Sequence, residues 1–364
     1  MKIGIVGLPL SGKTELFEAF TGAEAGPGTP FAAGNGQERR AVVKVPDERL
    51  ERLSSLFCPK KTTPAVVEYL DFAGLQVSAE GRQGFSNQFL GTARAADALL
   101  VVVRAFTDER VPHPLKSIDP VRDLKAVETE FILSDLAIVE SRMERLAKQA
   151  KSQKNERDVR ELRLLERCRA FLEEEKPLRE FAFEREDELL VRGFRFLTQK
   201  PLIVAVNIDE GAISGEAEVR ARFADRASGA GTEVLCLSAR IEREIQQLSG
   251  EEASQFLKDF GLSHSARARL IATSYRLLGL ISFFTVGEDE VRAWTVPAAT
   301  RAVRAAGAIH SDIERGFIRA EVVSYDDFIV QESLVKCKSE GTVRLEGKDY
   351  PVSDGDIVNF RFAV

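Results

Sequence analysis

Gly7-Leu8-Pro9-Leu10-Ser11-Gly12-Lys13-Thr14 fills every fixed position of the G-x-x-x-x-G-K-[ST] pattern. It follows the apolar run Ile3 to Val6 and precedes the helix-prone Glu15 to Phe20, the strand–loop–helix setting that this pattern needs. Gly7 and Gly12 allow the backbone of Leu8, Pro9, Leu10 and Ser11 to wrap the α- and β-phosphates of a nucleotide. Lys13 then reaches the β/γ oxygens, Thr14 offers a hydroxyl to Mg²⁺, and the following helix points its positive end at the anion. The stretch predicts a nucleotide-binding α/β domain.

Outward from this loop, short β-branched runs alternate with helical patterns, as in a doubly wound domain with a mainly parallel sheet. The runs are Lys2 to Val6, Val66 to Asp71, Ala98 to Arg104, Leu202 to Asn207 and Glu233 to Leu237. Between the third and fourth, Ile132, Leu136, Val139, Met143, Leu146 and Ala150 alternate steps of four and three, the seam of a long helix. A second helix carries Val159, Leu162, Leu165 and Leu172 after the polar break Ser152 to Asn155. The expected organisation is a GTPase-type P-loop NTPase domain over 1–120 and 194–278, interrupted by an antiparallel helical hairpin over 121–193. Lys148, Lys151, Lys154, Arg157, Arg160 and Arg163 gather near the hairpin tip, either as a solvated face or as an RNA-facing one.

From 279 to 364 the texture changes to short strands with Gly and Asp turns: Ile281 to Val286, Val291 to Trp294, Gly316 to Val323, Thr342 to Leu345, Lys348 to Val352 and Ile357 to Phe362. With a helix near Arg301 to Ala306, this length suits a ubiquitin-like β-grasp domain, and its lack of a nucleophile–base pair favours binding over catalysis.

Two further motifs refine the nucleotide site. Asp71-Phe72-Ala73-Gly74 ends a strand where a D-x-x-G must stand, with Asp71 in the Mg²⁺ shell and the Gly74 N–H sensing the γ-phosphate. Asn207-Ile208-Asp209-Glu210 ends a later strand where GTPases carry N-K-x-D. Ile208 replaces the lysine and Glu210 the acid, which weakens the grip on guanine, and an Asn amide serves adenine as well. Ser238 and Ala239, after the last strand, are placed to pack beside the base.

The chain has 364 residues, 44% hydrophobic and 30% charged, with net charge −6, which excludes a globally basic nucleic-acid binder but not a local basic patch. No stretch approaches the roughly 18 apolar residues of a membrane span, and the first strand starts at once, so the expectation is a cytoplasmic protein. Cys58, Cys168, Cys236 and Cys337 stand singly, which argues against a disulfide framework or a zinc site.

Taken together, the motifs resemble the Obg-like ATPases of the YchF family, along the whole chain. The resemblance rests on Gly4-Ile5-Val6-Gly7-Leu8-Pro9, Asp71 to Leu75, Asn87-Gln88-Phe89-Leu90 and Asn207 to Glu210. In the C-terminal block it rests on Phe284 to Gly287, Val291 to Thr295, Ile309 to Asp312, Gly316 to Ala320 and Gly355-Asp356. It implies a TGS domain at the C-terminus and a slow, Mg²⁺-dependent ATPase, with GTP used by some members. It also implies association with ribosomes or ribosomal RNA in translation and stress control. The alternatives are a nucleotide-gated binding module and an RNA or ribosome adaptor with negligible hydrolysis. Leu75 stands where many GTPases carry a water-orienting Gln; the resemblance implies His113 as the catalytic replacement, against the alternative of a solvated loop histidine, and Gln76 is another candidate. Two positions depart from the family pattern: Leu10 replaces a phosphate-loop Asn, and Pro30-Phe31-Ala32-Ala33 replaces Pro-Phe-Cys-Thr, so Ala33 has no oxygen for the metal. The expected member keeps its nucleotide grip through Lys13, Thr14 and Asp71 while its switch chemistry is weakened.

Overall fold

The computed structural model describes residues 1–21, 39–71, 76–77, 83–149 and 155–363. The expected contributions of Gly74, Leu75, Ala33, Ala150, Lys151 and Lys154 lie outside these residues. In chain order the strands are β1 (Lys2–Val6), β2 (Arg39–Lys44), β3 (Lys61–Thr63), β4 (Val66–Asp71), β5 (Gln76–Val77), β6 (Gln83–Gly84), β7 (Ala98–Arg104), β8 (Leu202–Asn207), β9 (Thr232–Leu237), β10 (Leu280–Thr285), β11 (Glu290–Pro297), β12 (Phe317–Ser324), β13 (Arg344–Glu346) and β14 (Asp356–Phe362). The chain divides into two compact units: 1–42 with 68–273, and 43–67 with 274–364.

The first unit is built on a six-stranded sheet in the order β2-β4-β1-β7-β8-β9. The pairs β4/β1, β1/β7, β7/β8 and β8/β9 are parallel. Both faces are covered by helices, so β7 and β8 are buried at every residue, as runs of Leu, Val and Ile without polar alternation require. Register places Ile5 beside Asp71, Arg104 beside Asn207, and Asn207 beside Leu237. The carboxyl ends of these strands thus share one edge, with β1 between the earlier strand β4 and the later strand β7. That is the switch point at which doubly wound sheets open a crevice.

The helices Pro120–Gln149 and Glu156–Glu173 share an apolar cluster of Ile132, Val139, Leu146, Leu164, Leu165, Cys168 and Leu172. Arg142 grips Glu161 across them with two hydrogen bonds of 2.7 and 2.9 Å. On the second helix the seam differs from expectation: Val159 is exposed, and Leu164 and Cys168 fill the buried positions. The middle of the long helix is anchored by Asp135, which accepts from Arg94 and from the backbone of Leu197 and Thr198. Arg160, expected at a basic tip, is instead engaged by Glu186 and Asp187.

The second unit has the sheet order β13-β12-β14-β10-β11-β3. Counting its own C-terminal strands from β10, this is 2-1-5-3-4, the β-grasp order, with the helix Ala302–Ile309 packed through Ala302, Ala305 and Ala306. The unit also contains residues that sequence patterning had assigned to 1–120. β3 adds in parallel to β11, with Thr62 opposite Val291. The helix Glu48–Phe57, capped by Asp47, contributes Leu50 and Leu53 to a cluster with Phe284, Val291 and Phe328. The expected strand Lys348 to Val352 is absent, apart from one bridge between Arg301 and Pro351. Among the described residues, no helix is long and apolar enough to cross a membrane.

Candidate nucleotide site

The loop between β1 and the helix Lys13–Thr21 is shaped by two glycines that no other residue can replace. Gly7 has φ 151°, and a Cβ there would collide with the Val102 carbonyl of β7. Gly12 has φ 89°, and its Cβ would strike the Asn207 amide. Both adopt backbone conformations that side chains disfavour. Leu10 also takes a positive φ of 61° and stands half exposed at the loop tip, while Leu8 is buried and Pro9 half-buried.

Inside the loop, the Lys13 ammonium donates to the carbonyls of Gly7 at 3.0 Å and Leu8 at 2.7 Å. Burial lowers its pKa to about 8, with nearby Asp71 pulling the other way. Ser11 is 2% exposed, and its hydroxyl has no hydrogen-bond partner. A buried hydroxyl without a partner is costly unless a ligand satisfies it. A desolvated cation in the same loop, which leads into a helix N-terminus, gives that ligand the chemistry of a phosphate. The cradle therefore fits a nucleotide.

Asp71 ends β4 beside Ile5, as expected, and is 7% exposed. One of its oxygens is taken: Arg39 of β2 donates to Oδ2 through Nε at 3.1 Å and Nη2 at 2.7 Å. Thr14 is exposed at the start of the helix. A divalent ion expected on Thr14 and Asp71 would therefore share Asp71 with the Arg39 guanidinium.

On the base side lies a cleft of about 710 Å³, in the range of small-molecule sites, lined in part by Phe106, Thr107, Ile208, Glu210, Ser238 and Arg240. Asn207 borders it but spends its amide on the protein. Its Oδ1 accepts from the Ala239 N–H at 3.0 Å and its Nδ2 donates to the Ser11 carbonyl at 3.3 Å. It thereby braces the phosphate loop against the start of the helix Ala239–Ile245, with the second N–H of its amide not used by these bonds. Asp209 accepts from the Thr107 N–H and from its hydroxyl at 2.8 Å. Glu210 is paired with Arg240 at 2.7 Å. Ile208 is buried, as are Ser238 and Ala239.

His113, expected as the catalytic group, is held in a structural setting. Its Nδ1 accepts from the Leu115 N–H at 3.1 Å, which leaves Nε2 to donate to Asp123 at 2.8 Å. Arg122 holds the other oxygen of Asp123. With its side chain 5% exposed and both ring nitrogens engaged, His113 has no nitrogen to offer a water.

Sequence reasoning missed several residues. Arg104, buried at the end of β7, donates to the carbonyls of Phe106, Asp108 and Val111 and stacks on Phe106, with its guanidinium carbon 4.4 Å from the ring centre. This fixes the loop that carries Phe106 into the cleft. An aromatic two residues past an apolar strand was the available signal. Arg39 and Arg240 gave none, because each owes its importance to a partner distant in sequence.

Residues 2–140 match the family model MMR_HSR1, described as "50S ribosome-binding GTPase". Residues 280–363 match YchF-GTPase_C, described as "Protein of unknown function (DUF933)". The chain is 43% identical over 366 residues to the "Ribosome-binding ATPase YchF" of Bacillus subtilis (strain 168), covering 99% of both chains. It is 38% identical to the protein of the same name in Escherichia coli O157:H7, covering 100% of this chain and 99% of that one. The solved Schizosaccharomyces pombe YchF GTPase superposes with a TM-score of 0.85 at 31% identity, covering 99% of this chain and 97% of that one. A Pyrococcus horikoshii OT3 GTP-binding protein, at TM-score 0.59 and 19% identity over the full length of both chains, shares the fold.

Proposed function

The chain belongs to the YchF family, and on that premise we propose that it is a ribosome-associated P-loop NTPase that binds ATP in preference to GTP and hydrolyses it slowly. The observation that carries this reading is the phosphate loop itself, which holds a buried ammonium hydrogen-bonded to two carbonyls and a buried hydroxyl without a partner. Gly7 to Thr14 would wrap the phosphates, with Lys13 exchanging its carbonyl partners for the β/γ oxygens. Phe106 and Ile208 would face the base, with Ser238 and Ala239 beside it. Guanine selection needs a carboxylate free to accept from the base, and Glu210 is already neutralised by Arg240, so the site favours adenine.

Slow turnover follows from the same geometry. Leu75 cannot orient a water, and His113 must first give up Asp123 or Leu115 to do so. These bonds also favour a second reading, a module in which nucleotide occupancy alone shifts the populations of its conformations. Mg²⁺ enters this scheme only on terms set by Arg39. The partner follows from the relatives' name, and a cytosolic location follows from that partner.

A ribosome co-sedimentation and phosphate-release assay tests the proposal. The expected result is nucleotide-responsive pelleting with ribosomes and turnover far slower than the 1–100 s⁻¹ of typical kinases. Pelleting indifferent to nucleotide, and equal in a Lys13→Met variant, would leave an adaptor in which the nucleotide plays no part.

A further inference from the structure

We propose that Arg39 is a built-in cation that takes the place of the divalent ion at Asp71, so that this chain grips nucleoside triphosphate with little dependence on Mg²⁺. The inference rests on the nucleotide-binding reading above and adds the terms on which the charge of the triphosphate is neutralised. Asp71 is the carboxylate that ends the strand beside the phosphate loop, and it is close enough to Lys13 to raise that residue's pKa. A hard divalent ion needs lone pairs of such a carboxylate. Here two N–H groups of one guanidinium already converge on Oδ2, in a pair whose side chains are 22% and 8% exposed.

The arginine is not held by Asp71 alone. Its guanidinium carbon lies 4.9 Å from the ring centre of Phe17, a buried residue of the loop's own helix. Nη1 also lies 3.4 Å from Glu18 on the same helix. A divalent ion that binds through Oδ2 must displace a charge fixed by a carboxylate, a ring and a second acid together, and one at the other oxygen must sit beside that charge. A fixed positive charge beside the loop meanwhile supplies part of the neutralisation that the ion normally brings.

The test is titration of ATP into the nucleotide-free full chain, in excess Mg²⁺ and in EDTA, for the native protein, Arg39→Ala and Arg39→Lys. The native protein should bind with affinities within about threefold of each other in the two buffers. In Arg39→Ala, binding in EDTA should fall at least tenfold and Mg²⁺ should restore most of it. Arg39→Lys, which keeps the charge but not the fork, should fall between. Mn²⁺ binding to the ATP-bound chain, followed by electron paramagnetic resonance, gives a readout of the metal alone and should be tighter in Arg39→Ala than in the native protein. A native affinity that rises tenfold or more with Mg²⁺, with the same rise in Arg39→Ala, overturns the proposal. If ATP fails to bind in every condition, the nucleotide-binding reading falls, and this proposal with it.

Discussion

Lys13 carries opposite requirements in the free and bound states. Its folded pKa of about 8, against 10.5 for an unburied lysine, means that below pH 8 the folded chain bears the net cost of a buried ammonium that two carbonyls and nearby Asp71 only partly offset. Between pH 8 and 10.5 the folded state releases the proton while the unfolded chain keeps it, so stability rises with pH across this window. Lys13→Met should therefore raise the melting temperature of the nucleotide-free protein at pH 7, by up to about 3 kcal/mol in stability at 1.36 kcal/mol per pKa unit, while abolishing ATP binding. Thermal denaturation of both proteins at pH 7 and pH 9.5 checks the sign, since the gap should narrow at the higher pH. ATP affinity of the native chain should decline above pH 8, and binding there should be accompanied by proton uptake. Gly12→Ala combines a strained φ with a collision against Asn207 and should cost about 1–3 kcal/mol, together with most nucleotide affinity. His113→Ala should lower stability by about 1–3 kcal/mol by leaving Asp123 short of a buried donor. A loss of turnover greater than the loss of folded protein would instead return His113 to catalysis.

At the scale of elements, five runs of the parallel sheet are readable because each carries a mostly apolar, β-branched core, and the phosphate loop because its pattern is local. β2 and β3 escaped because Arg39-Arg40 and Lys61-Thr62-Thr63 are polar, as befits strands at sheet edges. The seam of the second hairpin helix shifted because Leu164 and Cys168 outcompete Val159 for the buried face. What sequence spacing could not reveal were the contacts that re-employ expected site residues: Asn207 with Ser11, Arg39 with Asp71, Arg240 with Glu210. Each joins residues far apart in the chain, and none changes the local pattern. The hairpin core makes its own prediction. Leu165, fully buried, should cost about 3 kcal/mol as Leu165→Ala, seen as a lowered denaturant midpoint, with ATP affinity of the folded variant unchanged.

At the scale of the whole molecule, the division of the chain does not follow its order. The second compact unit takes Val43–Val67 as well as the residues from Ser274 onward, and its core needs Leu50, Leu53 and Ala65 from the earlier segment. A fragment of residues 274–364 alone would lack an edge strand and part of its core, so it should give a broad, non-cooperative melt where the full chain does not. A sharp transition in that fragment would show the earlier segment to be dispensable.

The central claim is that the loop from Gly7 to Thr14 holds a nucleoside triphosphate through Lys13. Calorimetric titration of ATP and GTP into the nucleotide-free chain, repeated on Lys13→Met, tests it most directly. The expected result is one site per chain, ATP tighter than GTP, and no measurable binding in the variant. Binding that survives in Lys13→Met, or no heat from either nucleotide in the native chain, would contradict it.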